Sequence, residues 1–134
     1  LRSLVGSEMC IRDSINSAAD YERLIGNYPD IMKVMIGRGM IADPCLAERI
    51  KSTATGRAYD WNRFFTFHDE LYNNYCESDV GRGNTMFKMK ELWAYWSRLF
   101  VDVDGAERAL KKIRKTRDNG EYEAAVRVLA ALCR

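Results

Sequence analysis

From Asp60 onward, apolar side chains recur at the 3.6-residue spacing of a helix, and no strand-like alternation interrupts them. Asp60 can cap a first helix whose Trp61, Phe64, Phe65, His68, Leu71, Tyr72 and Tyr75 share one face. Residues 77–84, ending in Gly81-Arg82-Gly83-Asn84, read as a loop, with Asn84 as the next cap. The second helix carries Met86, Met89, Trp93, Trp96 and Phe100, widened by Leu92, Tyr95 and Leu99. A stripe that broad suits a helix surrounded by others. Asp104 and Glu107 open a third helix with Ala106, Leu110 and Ile113 inward, and Asn119-Gly120 breaks it. Tyr122, Val126, Leu129 and Cys133 mark a fourth. Residues 60–134 are therefore expected to form a four-helix bundle, and the chain to be mainly α.

The first part follows a different grammar. Ser17 followed by Asp20 resembles a capping box, and Tyr21, Leu24, Ile25 and Tyr28 then form a helical stripe. Gly26, Asn27 and Pro29 end it. A short apolar run from Ile31 to Ile36 stops at Gly37-Arg38-Gly39, and Asp43-Pro44 opens a helix over about 44–52. The run lacks strict alternation, which suits a strand buried on both faces in a parallel sheet. Strand, glycine-flanked arginine and helix start can hold a phosphate. Glycine allows close backbone approach, arginine offers a planar fork of donors, and a helix N-terminus adds N–H groups. A plain tight turn is the competing reading of the same letters. Without further strands, Ile31–Ile36 would leave its apolar edges exposed and promote aggregation.

Residues 1–14 show no helical or strand period. They are read as a leader outside the fold, non-native or disordered, in part because the string resembles translated sequencing adapter. Residues 52–59 are small and polar and read as a linker. No apolar run is long enough to span a membrane. The four cysteines are scattered and form no C-x-x-C pair, which disfavours zinc-ribbon and dithiol redox chemistry and suits reduced thiols in a cytoplasmic protein.

His68 is the single histidine. It has no partner of its kind for a metal and lies on the aromatic stripe, so it reads as a hydrogen-bonded core histidine. Asp69 and Glu70 read as solvated, and no carboxylate pair suggests acid–base work. A net charge of +2 is uninformative, but its distribution is not. The third helix carries Arg108, Lys111, Lys112, Arg114, Lys115 and Arg117, and the polar side of the second carries Lys88, Lys90 and Arg98 after Arg82. Such faces can track phosphates or can simply be solvated. Gly81-Arg82-Gly83 follows no apolar strand and reads as a turn with an exposed arginine.

Three stretches resemble the C-terminal part of the tRNA-dihydrouridine synthase family. They are Ile15-Asn16-Ser17 with Asp20-Tyr21, Val34-Met35-Ile36-Gly37-Arg38-Gly39 with Asp43-Pro44, and Lys88-Met89-Lys90-Glu91-Leu92-Trp93 with Leu99-Phe100. The resemblance runs from Ile15 to about Leu132. It implies that 15–55 is the last helix–strand–helix of a truncated (β/α)8 TIM barrel and 60–134 a helical tRNA-binding domain. It implies FMN as cofactor, with Gly37 and Arg38 at its phosphate, and NADPH as reductant. It further implies tRNA as partner, contacted by Arg82, Lys88, Lys90 and Arg98, with no metal and a monomeric parent. The reaction implied is reduction of a tRNA uridine to 5,6-dihydrouridine. The family's catalytic cysteine and its Asn-Gly-Asp motif match nothing here, so no residue of this chain is assigned as catalytic, and the chain alone is expected to be inactive. Many members carry Arg-Lys-His where this chain has Met89-Lys90-Glu91, which leaves the modified uridine open. The rival expectation is a non-enzymatic helical module that binds RNA or protein.

Overall fold

The computed structural model describes residues 9–12, 15–52, 58–78 and 82–134. Most of the expected leader and the centre of the expected linker lie outside them. The described chain is mainly helical and divides into two compact units, 1–57 and 58–134.

The first unit contains β1 (Met9–Arg12), α1 (Ala18–Asn27), β2 (Lys33–Ile36), α2 (Arg38–Ala42) and α3 (Leu46–Lys51). Ser17 caps α1: its Oγ accepts from the Asp20 N–H at 3.1 Å. The Asp20 carboxylate in turn accepts from the Ser17 hydroxyl at 2.9 Å and the Asn16 N–H at 3.1 Å. Those two bonds hold the Asp20 carboxyl below its usual range. Leu24 is buried on the expected stripe, whereas Tyr28 falls past the helix end and is exposed.

The sequence pattern points to no element at residues 9–12. They nevertheless form β1, which pairs in parallel with β2 in the register Met9–Lys33 to Arg12–Ile36. α1 is the crossover that a parallel pair requires, so β1, α1 and β2 make one βαβ unit. β2 thus has a partner on one edge, against the expectation of an unpaired strand. It is also shorter than 31–36, and it alternates exposed and half-buried residues rather than being buried on both faces. Met32 and Met35 point to solvent.

The helix expected at 44–52 is α3, and a further short helix, α2, precedes it at 38–42, where a glycine-flanked turn is expected; Asp43 lies between the two. The Asp43 carboxylate is buried, accepts from the Cys45 N–H at 3.0 Å, and pairs with the Arg49 guanidinium at 2.8 Å. It joins the end of α2 to α3, with which α1 also packs.

The second unit contains α4 (Trp61–Glu77), α5 (Arg82–Trp96), a 3-10 turn (Ser97–Phe100), α6 (Ala106–Lys115) and α7 (Asn119–Leu132). Asp60 caps α4 through the Arg63 N–H at 3.0 Å. Gly105 precedes α6 at φ 78°, a left-handed conformation that favours glycine. Asp118 caps α7 through the Glu121 N–H at 2.8 Å, and Glu121 accepts from the Arg117 N–H at 2.8 Å. Asn119-Gly120 therefore lies in the first turn of α7, and the break between α6 and α7 comes earlier, at Thr116 and Arg117. Gly83 and Asn84 likewise belong to α5 rather than to a loop.

α5 lies against α4, α6, α7 and the 3-10 turn. Met86, Met89, Trp93, Trp96 and Phe100 are all buried, as their spacing predicts. Aromatic edges fill the centre: Phe64 meets Trp96 at 5.4 Å, Phe100 at 5.6 Å and Trp93 at 6.1 Å between ring centroids. Ala106, Ala109, Leu110 and Ile113 of α6 complete the core with Tyr122, Ala125, Val126 and Leu129 of α7. Tyr95 departs from the expected stripe; it is 41% exposed.

Candidate nucleic-acid interface

The buried residues of α6 stand three and four apart, which leaves the opposite face to its cations. Arg108, Lys111, Lys112, Arg114 and Lys115 are exposed, and so is Arg117 just beyond the helix. Arg108, Lys112 and Lys115 fall at i, i+4 and i+7 and so form one row. Lys111 pairs with Glu107 at 2.8 Å, and that ammonium holds the Glu107 carboxyl below its usual range. Arg108, Lys112, Lys115 and Arg98 make no ion pair with any described residue. The last turn of α6 gathers Lys112, Arg114 and Lys115 at the negative end of its dipole. The row is thus stabilised locally while its charge faces water.

α5 turns a second face outward, formed by Phe87, Lys88, Glu91, Ala94 and Tyr95, continued by Arg98 in the 3-10 turn. Lys88 lies over the Tyr75 ring, 5.2 Å from its centroid. Of the sequence-derived RNA contacts, Lys88 and Arg98 share this face. Arg82 opens α5, but its side chain lies outside the described residues. Lys90 is half-buried, and its ammonium donates to the Thr116 carbonyl at the C-terminal cap of α6. It clamps α5 to α6, a role that the Lys-x-Lys spacing does not reveal.

In the first unit, Gly37 precedes α2 and Arg38 is exposed as its first residue. Gly39 has a different purpose. A Cβ there would stand 1.9 Å from the Ile15 carbonyl oxygen, so this glycine lets α2 press against the backbone before α1. The Gly-Arg-Gly string therefore contains a packing glycine beside the two residues assigned to phosphate.

His68 lies in the core, as its position on the stripe predicts. Its Nδ1–H donates to Asp69 at 2.8 Å, its Nε2 accepts from the Tyr122 hydroxyl at 2.7 Å, and the Trp93 indole N–H donates to that same hydroxyl at 2.8 Å. Only this tautomer satisfies every donor in the chain of bonds. Asp69, though exposed, thus orients the ring. Beside this chain, Tyr72 donates to Glu123 at 3.0 Å. Burial pushes both the Tyr122 and Tyr72 hydroxyls above their usual range. His68, Asp69, Tyr72, Tyr122 and Glu123 line a cleft of about 300 Å³ between α4 and α7. The imidazole and the Tyr122 hydroxyl are committed to each other and the Tyr72 hydroxyl to Glu123, which makes the arrangement a structural cross-link.

Among the described residues no cluster of His, Cys, Asp and Glu can hold a metal, and no helix is long and apolar enough to cross a membrane. Cys45, Cys76 and Cys133 are not in disulfides. Comparison with protein-family models, curated proteins and solved structures finds no match for this chain.

Proposed function

We propose that the helical unit 58–134 binds RNA, and that the chain is the C-terminal portion of a flavin-dependent tRNA-dihydrouridine synthase. The observation that carries the RNA reading is the exposed row Arg108, Lys112 and Lys115, with Arg114 and Arg117 alongside. Arg108, Lys112 and Lys115 make no ion pair with any described residue, and a row of cations along one helix face matches a phosphate backbone. Lys88 and Arg98 add to it from α5. Lys90 contributes by positioning the end of α6.

Two features of the first unit support the barrel part of the reading. The β1–α1–β2 unit is the repeating element of a parallel (β/α)8 barrel. Gly37 and Arg38 stand directly past the end of β2, where barrels of this kind hold phosphate groups. α2 has only 5 residues, so its dipole is small, and the Arg38 guanidinium would be the main attraction for an FMN phosphate. Bound FMN would supply hydride to the uridine C5–C6 double bond after reduction by NADPH. The residues present here would hold the cofactor's phosphate and orient tRNA.

Binding of the chain to total tRNA over a salt series tests the RNA reading. Affinity is expected to fall linearly on logarithmic axes. The combined change Arg108→Ala, Lys112→Ala and Lys115→Ala is expected to weaken it and to reduce the slope by roughly 0.7–0.9 per lost phosphate contact. An unchanged slope would place RNA elsewhere or nowhere. Protein made from the complete reading frame tests the flavin part: it should purify with FMN, and Arg38→Ala should lose it. Salt-sensitive RNA binding without flavin would leave the non-enzymatic module.

A further inference from the structure

Phe87 is 62% exposed on α5. A single exposed phenylalanine is unremarkable by itself. Its surroundings are what distinguish it. No aromatic ring among the described residues stacks on it, and the Lys90 ammonium lies 5.8 Å from its centroid. That same ammonium donates to the Thr116 carbonyl, which places the Phe87 ring near the seam between α5 and the C-terminal end of α6. The exposed cations Lys112, Arg114, Lys115 and Arg117 belong to that end of α6. An open aromatic face beside clustered cations is the pairing that single-stranded nucleic acid requires, because phosphates follow the charge while a base needs a flat apolar surface. With Phe87 62% exposed, ring surface remains open to a ligand.

We propose that Phe87 stacks an unpaired nucleobase of RNA whose flanking phosphates lie along the end of α6. This inference rests on the RNA reading above and adds to it a preference for unpaired nucleotides, since a base inside a duplex has no free face.

The test measures binding of the full chain to labelled oligouridylate and to a blunt RNA duplex of equal length, at one low salt concentration. Circular dichroism confirms that each variant is folded, as expected for a side chain this exposed. Phe87→Ala and Phe87→Leu should weaken oligouridylate binding by about 5- to 150-fold, while changing duplex binding by less than about twofold. Phe87→Trp should retain or strengthen it. The leucine variant separates stacking from apolar contact, because it keeps bulk and loses the π face. If wild type binds both RNAs and Phe87→Ala alters neither, or alters both equally, the stacking inference is overturned while RNA binding stands; a protein partner for Phe87 would give the first pattern. If wild type binds neither RNA, both readings fail.

Discussion

The Nε2 of His68 lies 2.7 Å from the Oη of Tyr122, although the two residues are 54 positions apart. Trp93 donates to the same oxygen. One phenol therefore ties α4, α5 and α7 together inside an aromatic core, where an unmade hydrogen bond is costly. Tyr122→Phe keeps the ring but strands the His68 nitrogen and the Trp93 N–H. At about 1–3 kcal/mol for each stranded group, the second unit should lose at least about 2 kcal/mol. Urea unfolding followed by circular dichroism reads this directly, and a loss below about 0.5 kcal/mol would mean that the bonds carry no net stability.

Burial raises the hydroxyls of Tyr122 and Tyr72 above the ordinary tyrosine value of 10.0. The folded chain then keeps protons that the unfolded chain releases. Stability is present in full below about pH 10 and is lost progressively as pH rises above it. Alkaline titration should show tyrosinate absorbance from these two residues appearing together with loss of helical signal. The Tyr122→Phe variant should show a shallower pH dependence in the same range. Complete tyrosinate formation in a chain that remains helical would contradict the prediction.

Lys88 and Lys90 are two residues apart and should respond to alanine in opposite ways. Lys90→Ala removes the donor to the α6 cap, with an expected loss of about 1 kcal/mol in stability. Lys88→Ala removes an exposed cation, so stability should change by less than about 0.5 kcal/mol while RNA affinity falls. Equal stability of the two variants would contradict the clamp.

Gly39→Ala places a methyl group against the Ile15 carbonyl oxygen, and backbone rather than a flexible side chain must move. Overpacking of this kind costs about 1–3 kcal/mol or more. Proteolysis within the first unit should accelerate, while the unfolding of 58–134 is left as in wild type. An unchanged cleavage rate would mean that α2 can shift freely.

The helices of the second unit were legible because burial on one side imposes a 3.6-residue period on the sequence itself. Trp93, Trp96 and Phe100 are buried where that period puts them. Caps with local partners, such as Ser17 and Asp60, were legible for the same reason: donor and acceptor lie within three residues of each other. The outward cations of α6 follow from its buried stripe in the same way.

What escaped the sequence depends on partners far along the chain. Met9–Arg12 has no period of its own and becomes a strand because β2 supplies its hydrogen bonds. Lys90 reads as one of two similar lysines until Thr116 arrives beside it. The spacing points Tyr95 inward, yet Tyr95 and Phe87 are both exposed, because α5 can bury only as much of its circumference as its neighbours cover. Local order was thus determined by short-range periodicity and capping. Pairing, clamping and exposure were decided by tertiary structure, because only folding brings donors and acceptors from distant segments within bonding distance.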